Sequence, residues 1–110
     1  MKTILILMIL LISSIKSSSQ VSQEWVTRYN GSANSEDNAS SIAYDTSGNV
    51  FVTGSSKGSG TDYNFVTIKY STQGGEQWVR YYDGPDHGED KPVAIVVDDS
   101  GNVFVTGYGY

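Results

Sequence analysis

Only a few stretches of this 110-residue chain combine residue types that could do chemistry. The segment Asp86–Asp90 contains the single histidine of the chain, His87, with acidic residues on both sides. Such a cluster could bind a metal ion or act as an acid–base pair. One histidine without partner ligands at a known spacing is a weak zinc motif, however. We therefore interpret the segment as a solvated loop.

Two further stretches, Asp45–Asn49 and Asp98–Asn102, read Asp-x-Ser-x-Asn and resemble the beginning of a calcium-binding loop. A calcium loop of that kind has glycine at its sixth position and glutamate at its twelfth. Val50 occupies the sixth position of the first stretch, and the closing glutamate is missing. We interpret both stretches as hairpin turns.

Acidic pairs occur at Glu36-Asp37 and Glu89-Asp90. Paired carboxylates can serve acid–base catalysis. Because the two pairs occupy the same position of an internal repeat, we predict instead that they cap or bridge neighbouring units. The Gly58–Gly60 stretch lacks the lysine and hydroxyl residue of a phosphate-binding loop. The sequence thus predicts no catalytic residue, no metal ligand and no cofactor site.

Aromatic residues provide the remaining candidates. Trp25 and Trp78 recur at one repeat position, which favours core packing between units over ligand binding. Tyr63, Tyr108 and Tyr110 are predicted to lie in loops, where their flat rings could contact a sugar or another ligand.

The internal repeat has a period of 53 residues. Aligning residues 25–57 with residues 78–110 gives 16 identities in 33 positions without a gap. The octapeptide Ser47–Gly54 returns unchanged as Ser100–Gly107. A period of this length indicates a repeat architecture.

Strands must position these residues, because no segment after residue 20 has helical periodicity over ten residues. Alternating or β-rich runs separated by Gly-containing turns predict four strands in each period. Gly54 is expected to end the second strand, and Ser55–Asp62 is expected to be a polar loop. The four predicted strands are Ser41–Tyr44, Asn49–Thr53, Phe65–Tyr70 and Gln77–Tyr82.

Apolar residues lie on both sides of these strands, as in Val50–Val52 and Ile95–Val97. A sheet that is apolar on both faces must be covered on both faces. A repeating four-stranded sheet with this property is typical of a β-propeller blade, and blade repeats run to about 50 residues. The alternative is a β-solenoid, whose rungs are usually shorter.

One further pattern consists of Trp25, Tyr29, Gly31, Glu36-Asp37, Ile42-Ala43, Asp45, Ser47–Gly54, Tyr63, Phe65–Ser71, Gly74 and Trp78. This pattern resembles a known family, the SBBP repeat, a seven-bladed β-propeller repeat of secreted bacterial proteins. The second copy departs from the pattern where Val96-Val97 replaces Ala43-Tyr44. The resemblance implies a fold and no activity. It also implies that Ser41–Tyr44 is the inner strand of a blade.

We therefore predict an all-β, partial β-propeller of four-stranded antiparallel blades, with about one and a half blades present. Residues 24–30 would form a leading outer strand, about 38–83 a full blade, and about 91–110 a partial blade. A propeller needs about four to eight blades to close. We accordingly expect the chain to be the N-terminal part of a longer propeller.

Residues 1–19 combine Lys2, the apolar run Ile4–Ile12 and a serine-rich end, which is typical of a secretory signal peptide cleaved before Gln20. Without those residues, five basic residues remain against twelve acidic ones, a net charge of −7. This charge disfavours nucleic-acid binding, and the chain has no cysteine for disulfides. We expect a secreted protein, extracellular or periplasmic, whose mature part is not embedded in a membrane.

The expected function is a non-enzymatic structural or binding scaffold. Its partners would be extracellular proteins or glycans held by loops on one propeller face. The alternative is the N-terminal propeller part of a larger extracellular hydrolase or glycan-binding protein.

Overall fold

The structure is a computed structural model that describes residues 22–60 and 62–110. Within these ranges the chain forms strands and no helix, so none of the described residues belongs to a helix that could cross a membrane. The predicted all-β class is confirmed, whereas the predicted signal peptide lies outside the described residues. The strands are β1 (Asp37–Tyr44), β2 (Val50–Lys57), β3 (Tyr63–Tyr70), β4 (Glu76–Tyr82), β5 (Asp90–Val97) and β6 (Val103–Gly109).

The strands form two antiparallel sheets. Sheet 1 has the order β1-β2-β3-β4, and sheet 2 contains β5 and β6. Within each sheet every strand pairs with the next along the chain, because the short turns that join them allow only antiparallel neighbours. A complete four-stranded blade followed by two strands of a second blade is the partial propeller that the repeat predicts. The division of the chain into domains stays a prediction.

The strand β2 differs from expectation, because it runs through Gly54 and ends only at Lys57. A Cβ atom on Gly54 would lie 2.0 Å from the carbonyl oxygen of Asn38, beside a bulge between Ala39 and Ser41. The glycine therefore permits a close backbone approach inside the sheet and does not end the strand. The same arrangement recurs at Gly107 in β6, where a Cβ would lie 2.2 Å from a backbone oxygen of β5.

The segment 24–30 is not a strand in the structure, contrary to prediction. It covers one face of sheet 1, where the Trp25 ring lies 6.1 Å from that of Tyr70 and its Nε1 donates a hydrogen bond to the Thr72 carbonyl. A strand requires a hydrogen-bonding neighbour, and no described strand pairs with this segment. Its role as the outer strand of another blade stays a prediction.

The two faces of sheet 1 have different coverings. On face 1, defined by Val66, Ile68 and Tyr70, these three side chains are buried beneath the leading segment. On face 2, defined by Phe51, Thr53 and Thr67, sheet 2 packs against the strands through β5. Val66 and Thr67 thus lie on opposite faces of the sheet, as the two-residue period of a strand requires. Within face 2 the Thr53 hydroxyl is 3.2 Å from the Val66 carbonyl and 3.1 Å from the Thr67 hydroxyl, so its polar group is satisfied.

Equivalent positions of the two repeats differ sharply in exposure. Phe51 is 1% exposed, whereas Phe104, 53 residues later, is 59% exposed. The order is reversed for Ile42, which is 68% exposed, and Ile95, which is 7% exposed. Face 2 of sheet 1 and the facing side of sheet 2 therefore bury each other, as stacked blades do. The outward side of sheet 2 stays open at Phe104, and face 1 is covered in part by the leading segment but stays open at Ile42.

Candidate binding surface

The Asp45–Asn49 turn that joins β1 to β2 is closed by its own carboxylate. Asp45 accepts hydrogen bonds from the backbone amides of Ser47 and Asn49 through Oδ1, and from the side-chain amide of Asn49 through Oδ2. The side-chain amide of Asn49, and then the backbone amides of Asn49 and Ser47, hold the pKa of Asp45 below its usual value. Gly48 supplies the left-handed conformation, with φ of 84°.

The Asp98–Asn102 turn between β5 and β6 repeats the arrangement. The Asp98 carboxylate binds the amides of Ser100 and Asn102 at 3.0 and 2.8 Å, and the Asn102 side chain at 2.8 Å. Donors from the turn therefore occupy both oxygens of each aspartate. These contacts support the turn interpretation. No group of three or more His, Asp or Glu side chains placed to hold a metal ion occurs within residues 22–60 and 62–110.

The second member of each acidic pair fixes the link into the first strand of its sheet. Asp37 accepts a hydrogen bond from the Gly31 amide at 2.9 Å, and Asp90 accepts one from the Gly84 amide at 2.7 Å. Asp90 is only 3% exposed. The two contacts are 53 residues apart, and they place both carboxylates in a capping role.

The first member of each pair faces a polar rim at the end of the sheets away from the hairpin turns. Glu36 Oε2 accepts a hydrogen bond from the Tyr63 hydroxyl at 2.8 Å, and Glu89 lies 2.8 Å from Lys91 Nζ. The Asn38 side-chain amide and the Tyr63 hydroxyl lower the pKa of Glu36. The hydrogen bond to Glu36 in turn raises the pKa of Tyr63.

Two of the three candidate tyrosines lie in strands and not in loops. Tyr63 is the first residue of β3 and pairs with Lys57, and Tyr108 lies in β6 opposite Lys91. The prediction was wrong because β2 and β6 continue past their glycines, which extends the ladders into the expected loops. Tyr110 follows β6, and its amide donates to the Glu89 carbonyl at 3.0 Å.

The structure nevertheless places these tyrosines at the same end of the two sheets, where Glu89 interacts electrostatically with Tyr63, and its partner Lys91 with Tyr108 and Tyr110. The rings of Tyr108 and Tyr110 lie 5.7 Å apart, edge to face, and Lys57 Nζ lies 5.8 Å from the ring centre of Tyr63. Tyrosine faces flanked by charged groups can stack on a sugar and hydrogen-bond its hydroxyls. We name this surface the aromatic rim; it comprises Glu36, Lys57, Tyr63, Glu89, Lys91, Tyr108 and Tyr110.

His87 lies in the link between β4 and β5 and does not join the rim. Its Nδ1 is 2.6 Å from Asp83 Oδ2, and this hydrogen bond raises the pKa of the imidazole. The nearby Glu89 and Asp90 contact Lys91 and Gly84 instead. The geometry therefore gives His87 a single carboxylate partner, in an exposed turn.

The comparisons with known proteins agree with this architecture. A family model described as a beta-propeller repeat, SBBP, matches residues 24–61 and 77–110, which contain the two aligned segments of the internal repeat, residues 25–57 and 78–110. The chain belongs to the SBBP beta-propeller repeat family. No curated protein and no solved structure matches the chain.

Within the SBBP repeat, the two tryptophans have different environments. Trp25 covers face 1, whereas Trp78 lies in β4, with its ring 6.0 Å from that of Phe51 on face 2. Both are half-buried. The predicted packing role fits these contacts.

Sequence reasoning missed the charged members of the rim, Lys57 and Lys91, and it predicted for Glu36 a role in capping or bridging neighbouring units. The signal that could have located them is strand register. Once β2 is extended to Lys57, antiparallel pairing places this residue beside Tyr63.

The Asp83–His87 contact of this SBBP chain predicts a measurable titration. Replacing Asp83 with asparagine should lower the pKa of His87 towards 6.5, because the carboxylate favours the imidazolium. The carboxylate contributes stability below pH of about 6.5, and this contribution is lost as pH rises through the raised pKa. NMR titration of the imidazole protons measures both values. An unchanged pKa in Asp83→Asn would contradict the contact. The comparison is Asp86→Asn, which removes a nearby charge but no hydrogen bond and should lower the pKa of His87 less.

Proposed function

We propose that this chain is a non-enzymatic binding scaffold, secreted from the cell, that presents the aromatic rim to extracellular glycans. The family match supports the coarser part of this proposal, a scaffold built from propeller repeats. The leader-like composition of residues 1–19 supports secretion.

The observation that carries the proposal is which ionisable side chains are hydrogen-bonded within the fold and which are exposed. Both turn aspartates and both capping aspartates are engaged by backbone amides, so they are not available as acids, bases or ligands. The exposed chemistry is concentrated at the rim, where tyrosine rings lie beside carboxylates and ammonium groups. This combination fits recognition of a polar ligand with flat faces and has no nucleophile paired with a base.

A glycan array tests the proposal with the full chain expressed in a bacterial host and recovered after export. We expect binding to a limited set of glycans, weakened about tenfold by Tyr108→Ala, which corresponds to about 1.4 kcal/mol. The control is Tyr44→Ala. Tyr44 is 80% exposed but lies beside the hairpin turn, at the other end of sheet 1.

Three results would contradict the proposal. Equal loss in Tyr44→Ala and Tyr108→Ala would remove the aromatic rim from the binding site. Retention of the chain inside the host would overturn secretion. Turnover of a glycan by the purified chain, abolished in Glu36→Gln, would replace the scaffold with an enzyme.

A further inference from the structure

Each sheet is entered through a link of the same backbone shape. The first link, residues 30–37, leads into β1, and the second link, residues 83–90, leads into β5. Asn34 and His87 stand at the same position of the two links and have positive φ values of 48° and 52°. The amide of each donates to the carbonyl three residues earlier, at 2.9 and 3.0 Å. The two links are therefore one turn that occurs twice in the chain.

The side chains that close this turn differ between the links. In the first link, Asn30 Nδ2 donates a hydrogen bond to Asn34 Oδ1 at 2.7 Å. In the second link, Asp83 Oδ2 lies 2.6 Å from His87 Nδ1. A pair of side-chain amides carries no charge, whereas an imidazole gains or loses a proton near neutral pH. The chain thus contains an uncharged and an ionisable version of one contact.

The Asp83 carboxylate depends on the imidazole. Its side chain is only 29% exposed, and its second oxygen, Oδ1, is buried with no hydrogen-bond partner in the described part of the chain. A carboxylate withdrawn from water is unfavourable unless a positive group compensates its charge. Because His87 supplies that charge only when it is protonated, loss of the proton removes the compensation and weakens the second link.

Carboxylates, an ammonium group and phenols surround the second link. Glu89 and Lys91 pair with each other, and Asp86 acts on the imidazole through its charge. The ionisable residues that line the adjoining cavity are Tyr82, Asp86, Asp90, Tyr108 and Tyr110. Between about pH 6 and pH 9, carboxylates, ammonium groups and phenols ordinarily do not titrate, whereas an imidazole does. A response of this link to pH in that range therefore indicates titration of His87.

We propose that Asp83 and His87 form a pH-sensitive switch in the link between the two sheets. The protonated imidazole holds the link closed in mild acid, and loss of its proton loosens the link. The switch acts on sheet 2, because the same link contains Gly84, whose amide donates to Asp90, the first residue of β5. The amide pair of the first link carries no charge, so that link stays closed over the same pH range. This switch does not depend on glycan binding at the aromatic rim.

Amide hydrogen exchange of the full 110-residue chain tests the switch. NMR transfer of water magnetisation gives the exchange rate of Gly84, and Gly31 in the first link is the internal reference for the intrinsic effect of pH. Because Asp83 raises the pKa of His87, the closed link persists below about pH 6.5 and loosens as pH rises through that raised value. We expect the protection of Gly84 relative to Gly31 to fall about threefold between about pH 6 and pH 9.

Exchanging the side chains of the two links provides matched variants. The double substitution Asp83→Asn/His87→Asn gives the second link the side chains of the first. It should abolish the pH response while keeping a hydrogen bond between two amides in the turn. The reverse double substitution, Asn30→Asp/Asn34→His, should transfer the response to the first link. The Gly31 amide should then lose about threefold in protection over the same pH range, compared with the unsubstituted chain.

A constant ratio of Gly84 to Gly31 protection in the unsubstituted chain would overturn the proposal. A response that survives in Asp83→Asn/His87→Asn would also overturn it, because another group would then be responsible. Unchanged Gly31 protection in the reverse variant would contradict the proposal by showing that the carboxylate–imidazole pair does not control this turn. All three outcomes are measured without a glycan, so the switch and the aromatic rim can fail separately.

Discussion

Replacing Phe51 with alanine should lower the free energy of unfolding by about 3–5 kcal/mol. The Phe51 side chain is 1% exposed and lies between the two sheets, with its ring 6.0 Å from that of Trp78. Truncation removes buried apolar surface and leaves a cavity that the stacked strands can fill only partly. Urea unfolding followed by tryptophan fluorescence measures the loss.

The repeat provides the control for this prediction. Phe104 occupies the equivalent position and is 59% exposed, so Phe104→Ala should cost about 0.5 kcal/mol. Similar losses in the two variants would show that sheet 2 does not cover face 2. Where Phe51→Ala leaves too little folded protein to measure, Phe51→Leu keeps most of the volume and should still cost more than Phe104→Leu.

Gly54→Ala should cost about 3 kcal/mol or more, because the added methyl group meets backbone and not a movable side chain. The methyl carbon would lie 2.0 Å from the Asn38 carbonyl oxygen and 2.9 Å from the Ala39 Cα. To relieve this steric clash, β1 and β2 must separate at the bulge. Hydrogen exchange should therefore show lost protection in β1 before any loss in β4.

Gly75→Ala is the matched control. Gly75 does not have the positive φ of its neighbour Gly74, and an added Cβ would meet two side-chain atoms and no backbone, the Ser71 hydroxyl at 3.3 Å and the Gln77 Nε2 at 4.0 Å. We expect a change within about 0.5 kcal/mol. If the Gly54→Ala protein were as stable as the Gly75→Ala protein, the distance between Gly54 and the backbone of Asn38 would have to be larger than in the structure.

Much of the fold could be predicted from local chemistry. The Asp-x-Ser-Gly-Asn turns depend on residues close together in the chain, and both are found. The 53-residue repeat could be seen directly in the sequence, and the matched family contains it. The extent of β2 could not be predicted, since glycine usually marks a break. Gly54 lacks a side chain that would clash with the Asn38 backbone of the neighbouring strand. This close approach becomes visible only when β1 and β2 are paired.

Burial could be predicted for the repeat but not for each copy. Phe51 and Phe104 stand in the same eight-residue sequence, and their exposures differ because only one has a sheet above it. The aromatic rim was harder still. Glu36 and Tyr63 are 27 residues apart and meet only when three strands are in register.

The carboxylate-closed turns have a consequence for the order in which the chain folds. Each turn satisfies its polar groups with residues no more than four positions away, so each is complete before any distant segment arrives. Hairpins with such local contacts form in about 1–10 μs. We therefore expect β1-β2 and β5-β6 to form as two independent early nuclei of the same design. Docking of one nucleus on the other through Phe51 and Ile95 then becomes the slower, rate-limiting event.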